Sequence, residues 1–137
     1  MDPLYVAAAT ANGREGRAAS TDGTLDLALG LPVALGGNGQ GTNPEQLFAL
    51  GYAACFASAL AAVGREAKID TKDASVTAEV GIGKDTDAGF GLAVTLRVEL
   101  PDHLHGDQGK TLVETAHAFC PYSKATRGNI PVQLVIE

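Results

Sequence analysis

One uncharged run organises this chain: Leu47-Phe-Ala-Leu-Gly-Tyr-Ala-Ala-Cys-Phe-Ala-Ser-Ala-Leu-Ala-Ala-Val-Gly64. The residues just before it are typical of a helix start. Asn43 can cap a helix, Pro44 suits the first helical position, and Glu45 favours the positive end of the helix dipole. The sequence therefore predicts a long central helix that runs to about residue 68.

This helix is apolar on nearly every side, so it must be covered on every side. A chain of 137 residues with few strands can hardly wrap such a helix alone. We therefore expect an intertwined homodimer in which the central helices of two copies pack against each other beneath both sheets. Small residues on the helix permit that close approach: Gly51, Ala54, Ala57, Ser58 and Ala61.

The rest of the chain predicts an α+β fold. Alternating apolar and polar residues predict strands at 4–10, 24–29, 76–82, 90–100 and 132–136. A turn lies at 12–16, a hairpin loop at 84–89, and a second helix from about 108 to 119 that Pro121 stops. The expected order is βββ-α-ββ-α-β, with antiparallel sheets around the central helices and a single domain over residues 1–137.

Composition excludes several classes of protein. The formal net charge is −6 and no basic block occurs, which argues against nucleic acid as a partner. The N-terminus lacks a basic region followed by a long apolar run, so we expect no signal peptide and a cytoplasmic location. The uncharged run approaches the length of a membrane span, but its Ala, Gly and Ser content and the surrounding strands favour a core helix and no membrane.

The two cysteines differ in their local surroundings. Cys120 precedes Pro121 at a helix C-terminus, where the dipole disfavours a thiolate. Cys55 lies in mid-helix, where the dipole has little effect, and needs a nearby cation to lower its pKa. Arg14 is a good candidate because it lies in a turn between two glycines at 13–16, and glycines let a turn approach another element closely.

Residue patterns alone leave three classes of function open. The cysteines can be reactive, as free thiols in a cytoplasmic protein often are. They can also be inert core side chains of a binding protein. In the third class, His117 and Cys120 share a helix face and form a Cys–His hydrolase site or part of a metal site, although two cysteines without a C-x-x-C pair leave a metal short of ligands.

Three motifs resemble the organic hydroperoxide resistance proteins, one branch of the osmotically inducible protein C superfamily. They are the Gly-Arg-acidic-Gly turn at 13–16, the segment from 42 to 56 around the first cysteine, and Cys120-Pro-Tyr-Ser-Lys-Ala-Thr-Arg-Gly-Asn-Ile130. The resemblance covers essentially the whole chain. The departures are mild: Glu15 stands where many relatives have Asp.

The resemblance implies a thiol peroxidase that reduces organic hydroperoxides to alcohols. Cys55 would attack the peroxide and become a sulfenic acid, and Cys120 would condense with it to a disulfide. Arg14 would orient the thiolate and polarise the peroxide, and Glu45 would hold Arg14. The reductant would be dihydrolipoamide on lipoylated proteins, with no metal, haem or flavin cofactor.

Two expectations about the site come from helix geometry. Phe48, Tyr52 and Phe56 lie near Cys55 on or beside one helix face, so they suit an apolar substrate pocket. Glu45 lies ten residues before Cys55, which is about 15 Å along a straight helix. We therefore expect Glu45, or part of the pocket, to come from the partner across the dimer interface.

Overall fold

The structure is a computed structural model that describes residues 1–87 and 89–137, so position 88 of the predicted hairpin loop lies outside the described residues. The elements are β1 Ala9–Ala11, β2 Arg17–Ser20, β3 Asp26–Ala28, α1 Pro44–Ala67, β4 Ser75–Lys84, β5 Phe90–Glu99, α2 Asp107–Phe119, α3 Pro121–Thr126 and β6 Val132–Ile136. This order confirms the α+β class and the long central helix. The chain forms two compact units, residues 1–47 and 48–137.

The first unit contains a small antiparallel sheet in the order β1-β2-β3. Thr10 pairs with Ala19, and Ala18 pairs with Leu27. The predicted strand at 4–10 was wrong in its bounds, because β1 spans only Ala9–Ala11 and the side chains of residues 4–6 are exposed. The reason is the short partner strand: β2 has four residues and offers no pairing positions for the residues before Ala9.

Helix α1 begins and ends as its sequence predicts. The Asn43 side chain accepts a hydrogen bond from the backbone N–H of Gln46 at 2.8 Å, which satisfies one of the free donors of the first turn. The helix ends at Ala67, and Lys68 follows in a left-handed conformation with φ 58°. Such a residue commonly terminates a helix.

One face of α1 forms the core of the second unit. Tyr52, Phe56 and Leu60 are buried there, in a cluster with apolar residues of β5 and α2. The opposite face is open in the single chain: Leu50 is 68% exposed, and Ala54 and Ser58 are also exposed. The predicted homodimer would cover this face, and it stays a prediction.

Helix α1 is also the one helix of the described residues that is long and apolar enough, by length and composition, to cross a membrane. The core helix of a globular protein passes the same test. The buried face of α1 in the second unit favours that interpretation.

The second sheet has the order β4-β5-β6. Strands β4 and β5 are antiparallel, with Val80 opposite Val94, whereas β6 runs parallel to β5, with Leu134 opposite Leu96. The prediction of antiparallel sheets was therefore wrong for β6. The connection from β5 to β6 passes through α2 and α3, and a long helical crossover of this kind joins parallel strands.

The second helix is followed by a short one that the sequence did not predict. The backbone of Cys120 is extended, with φ −63° and ψ 126°, so it ends α2. The residue before a proline favours this conformation, and a proline suits the first position of a helix. Pro121 therefore separates two helices rather than ending helical structure, and Cys120 lies at their junction.

Candidate active site

The two cysteines meet in the second unit. Helix α1 supplies Cys55, the α2–α3 junction supplies Cys120, and their sulfur atoms are 3.7 Å apart. Both are free thiols, Cys55 partly exposed and Cys120 fully buried. A disulfide bond is about 2 Å long, so a small movement would bring the two sulfurs to bonding distance.

Burial raises the pKa of the Cys55 thiol above its ordinary value. The backbone N–H of Tyr122 donates to the sulfur and opposes this shift, while the neighbouring Cys120 adds to it. These contacts alone leave Cys55 protonated at neutral pH. A reactive thiolate therefore needs a further positive charge, as the sequence predicted.

Tyr122 is a site residue that the sequence analysis missed. Besides its backbone contact with Cys55, its ring packs against Phe48 and Tyr52, with centroid separations of 6.2 and 5.7 Å. Its hydroxyl would lie 2.9 Å from a Cβ atom at Gly51, so the missing side chain lets Tyr122 approach α1 one turn before Cys55. Gly51, which we expected to serve the helix contact in a dimer, therefore contacts Tyr122. The position of Tyr122 two residues after Cys120 was the signal available in the sequence.

The three aromatic residues predicted to bind substrate differ in exposure. Tyr52 and Phe56 are fully buried, whereas Phe48 is half-buried and packs edge-on against Tyr52 at 6.1 Å. Phe48 and Tyr122, which is 40% exposed, present the surface that a ligand can reach. The substrate-binding role of Phe48, Tyr52 and Phe56 stays a prediction.

A buried polar cluster lies beside the cysteines, and we call it the Ser123 network: Tyr52, His117, Ser123 and Thr126. The Ser123 hydroxyl is 2.9 Å from the Tyr52 hydroxyl and 2.8 Å from His117 Nδ1. His117 thus bonds Ser123 rather than a cysteine, which gives no support to a Cys–His hydrolase. Among the described residues, no group of three or more His, Cys, Asp or Glu side chains could hold a metal ion.

The environment of His117 predicts a pH dependence of stability. Burial, and then the positive charge of Arg127, lower the pKa of His117 below 6.5. Between the lowered pKa and 6.5 the unfolded state binds more protons than the folded state, so stability rises with pH through that window and is lost below it. Urea unfolding between about pH 5 and pH 7.5 should show this slope in the wild type and a weaker one in His117→Asn. Equal slopes in both proteins would contradict the prediction.

In the first unit, the turn that carries Arg14 is closed by a side chain. The Asn12 carboxamide oxygen accepts a hydrogen bond from the backbone N–H of Arg17 at 3.0 Å. It passes so close to Gly16 that a Cβ there would lie 2.0 Å from the oxygen. Glycine at position 16 therefore leaves room for the Asn12 side chain in this turn, and Arg14 is exposed.

Arg14 and Glu45 form a two-pronged ion pair within one chain. The guanidinium nitrogens lie 2.7 and 3.1 Å from the two carboxylate oxygens. The Arg14 hydrogen bond lowers the pKa of Glu45, and Glu45 raises the pKa of Arg14, so both stay charged. The expectation that Glu45 acts across a dimer interface was wrong for this pairing. Glu45 is about 15 Å from Cys55 along a straight helix, but to pair with Arg14 it needs only to reach the turn that carries Arg14.

The structure thus brings the predicted site residues together in two pairs, one in each unit: Arg14 with Glu45, and Cys55 with Cys120. The resemblance implies that Arg14 acts on Cys55, and this role stays a prediction.

Comparisons with known proteins agree with the resemblance. A family profile described as "OsmC-like protein" matches residues 37–135. The organic hydroperoxide resistance protein of Xanthomonas axonopodis pv. citri (strain 306) is 52% identical over 136 residues, covering 97% of this chain and 94% of that protein. The organic hydroperoxide resistance protein OhrB of Bacillus subtilis (strain 168) is 47% identical, covering 98% of each.

A solved structure shows the same fold. It is that of a putative organic hydroperoxide resistance protein of Vibrio cholerae, with captopril bound in one of its active sites. It is 49% identical, covers 99% of this chain and 94% of its own, and has a TM-score of 0.94. The chain therefore belongs to the OsmC-like family and, within it, to the organic hydroperoxide resistance proteins.

Proposed function

We propose that this protein is a two-cysteine thiol peroxidase that reduces organic hydroperoxides to alcohols in the cytoplasm. The names of its relatives support a role in resistance to organic hydroperoxides. The observation that supports the two-cysteine mechanism is the 3.7 Å distance between the sulfurs of Cys55 and Cys120, both of which are free thiols.

The exposure of the two thiols supports their order of reaction. Cys55 is partly exposed and can meet a hydroperoxide, whereas Cys120 is fully buried. The Cys55 thiolate attacks one peroxide oxygen, the O–O bond breaks, and the alcohol leaves with a proton, which produces a sulfenic acid. The Cys120 sulfur then attacks Cys55, the S–O bond breaks, and the oxygen leaves as water.

The proposal gives Arg14 the task of stabilising the Cys55 thiolate and polarising the peroxide, with Glu45 orienting Arg14. The raised pKa of the Cys55 thiol supports the need for such a cation. The bidentate ion pair between Arg14 and Glu45 supports Arg14 as this cation. A guanidinium held by two hydrogen bonds has a fixed orientation and is always charged.

An apolar peroxide and a dithiol reductant complete the proposed cycle. The surfaces of Phe48 and Tyr122 near Cys55 support an alkyl or aryl substrate. Dihydrolipoamide, free or on a lipoylated protein, returns two electrons and two protons to the disulfide. Sulfur carries both electrons, so the cycle needs no metal, haem or flavin.

We also infer that the protein works as a homodimer. The open face of α1, with Leu50, Ala54 and Ser58, supports this because an exposed apolar face of a long helix favours a partner. Sedimentation at micromolar concentration tests it: a monomer would contradict the inference.

The test of the function is a thiol titration of the wild-type protein. One equivalent of cumene hydroperoxide should remove both free thiols, produce cumyl alcohol, and decrease the mass of the chain by two hydrogen atoms. Dihydrolipoamide should restore the thiols and sustain turnover. Intact thiols after exposure to several organic hydroperoxides would contradict the proposal.

A further inference from the structure

The Ser123 network connects the helices that carry the two cysteines. Tyr52 lies on α1 three residues before Cys55, and Ser123 lies on α3 three residues after Cys120. The hydrogen bond between their hydroxyl groups therefore joins α1 to α3 about one turn from each sulfur. Both side chains are fully buried, so water does not replace this contact.

His117 adds the third helix to the same point. It lies on α2 three residues before Cys120, and its Nδ1 atom is 2.8 Å from the Ser123 hydroxyl. The hydroxyl oxygen of Ser123, a residue of α3, thus contacts one side chain of α1 and one of α2. Cys120, at the junction of α2 and α3, is held from both sides.

The hydrogen bonds of the network form a continuous chain. The Thr126 hydroxyl lies 3.1 Å from the Tyr52 hydroxyl, the Tyr52 hydroxyl lies 2.9 Å from the Ser123 hydroxyl, and the Ser123 hydroxyl lies 2.8 Å from His117 Nδ1. The Thr126 hydroxyl also lies 3.1 Å from the Ser123 carbonyl, which accepts a hydrogen bond from the backbone N–H of Arg127 at 3.0 Å. The hydroxyl protons can therefore point along the chain in either direction, with His117 Nδ1 as donor or acceptor.

Helix α3 depends on contacts of this kind for its position. It has six residues, and a helix this short is not stable alone. The placement of Cys120 relative to Cys55 is therefore set by whatever anchors α3 to its neighbours. Three of the four hydrogen bonds of the network are buried and the His117 bond is partly buried. All four are directional, whereas the surrounding apolar contacts are not.

We propose that the Ser123 network is a positioning device for disulfide formation, an inference that rests on the proposed peroxidase function. Its hydrogen bonds do not involve the reacting sulfurs; they hold the Cys120 sulfur close to the Cys55 sulfur. In the step they assist, an S–S bond forms and the S–O bond of the sulfenic acid breaks. The released oxygen leaves as water with the proton of the Cys120 thiol.

The first test is Ser123→Ala, which removes the hydroxyl that contacts both Tyr52 and His117. Cys55 oxidation by cumene hydroperoxide should proceed at the wild-type rate. Disulfide formation should slow about tenfold or more, since misplacing reacting groups by about 1 Å can lower a rate on the order of a hundredfold. Dimedone should trap the longer-lived sulfenic acid, and excess peroxide should yield more sulfinic acid. Ser75→Ala removes an exposed serine hydroxyl on β4 and is the matched control.

The second test uses the position of the His117 nitrogen that contacts Ser123. His117→Asn places an amide group near the position of Nδ1, whereas His117→Gln places it nearer Nε2. We expect wild-type disulfide formation in His117→Asn and slow disulfide formation in His117→Gln. This pair of variants also tests the positioning role if Ser123→Ala does not fold.

The outcomes separate this inference from the function on which it rests. If the wild-type protein forms no disulfide with any hydroperoxide, the proposed function fails. If the wild type forms the disulfide, and Ser123→Ala forms it equally fast or slows both steps equally, the positioning role is overturned. Equal rates in His117→Asn and His117→Gln would overturn it as well.

Discussion

Cys55→Ser should abolish hydroperoxide reduction, with a loss on the order of a thousandfold or more, the scale on which removal of a nucleophile lowers turnover. The reason is that a serine hydroxyl neither ionises near neutral pH nor accepts an oxygen atom to form a sulfenic acid. Consumption of cumene hydroperoxide in the presence of dihydrolipoamide measures the effect. Because Cys55 contacts Cys120 and the Tyr122 backbone through one atom, a serine should fit without disturbing the fold.

Cys120→Ser is the matched control for this result. It removes the other sulfur of the same contact, so it should retain the first oxidation and lose the second step. We expect it to consume one equivalent of peroxide and then stop, with a sulfenic acid on Cys55. Sustained turnover by Cys55→Ser would refute the assignment of the nucleophile, and so would loss of the first oxidation in Cys120→Ser.

Arg14→Gln should slow the oxidation of Cys55 by about a hundredfold or more, the effect of removing one preorganised donor from a transition state. Under the proposed function, the variant also loses the cation assigned to the Cys55 thiolate. Its thiolate fraction should therefore fall, and the deficit relative to wild type should narrow as the pH rises. Stopped-flow measurement of the first oxidation across a pH series checks both expectations.

Arg17→Gln is the matched control for Arg14→Gln. Arg17 also forms a fork with a carboxylate, that of Asp26, and it lies three residues from Arg14 in the same unit. Exposed ion pairs contribute little to stability, so this variant should fold and react as the wild type does. Equal losses in the two variants would show that net charge, rather than Arg14, sets the rate.

Most of the helices and strands could be predicted because helix caps and apolar–polar alternation act between residues that are close in the sequence. The Asn43 cap acts within one helical turn, and the alternation of Val94, Leu96 and Val98 shows which face of β5 is buried. The direction of β6 depends instead on where α2 and α3 return the chain. The sequence analysis missed helix α3 because a proline can follow the end of one helix or begin the next. The tertiary contacts of Ser123, rather than the local sequence, favour a helix after Pro121.

The site was predictable only in part, for the same reason. The cysteines and Arg14 follow from motifs, since each motif lies within a few consecutive residues. The Ser123 network joins residues that are 71 and 74 positions apart, and no local pattern indicates that Tyr52 meets Ser123 and Thr126. Tyr122 was missed because its contact with Cys55 uses its backbone, which any residue could supply.

The aromatic residues around the cysteine pair give this protein a spectroscopic property. The chain has no tryptophan and three tyrosines, so tyrosine provides its intrinsic fluorescence. Two of the three emitters, Tyr52 and Tyr122, pack against each other, and the Tyr122 backbone contacts the Cys55 sulfur. We therefore expect the proposed oxidation of Cys55 and Cys120 to change the surroundings of two of the three tyrosines, so that tyrosine fluorescence would follow the reaction without a label.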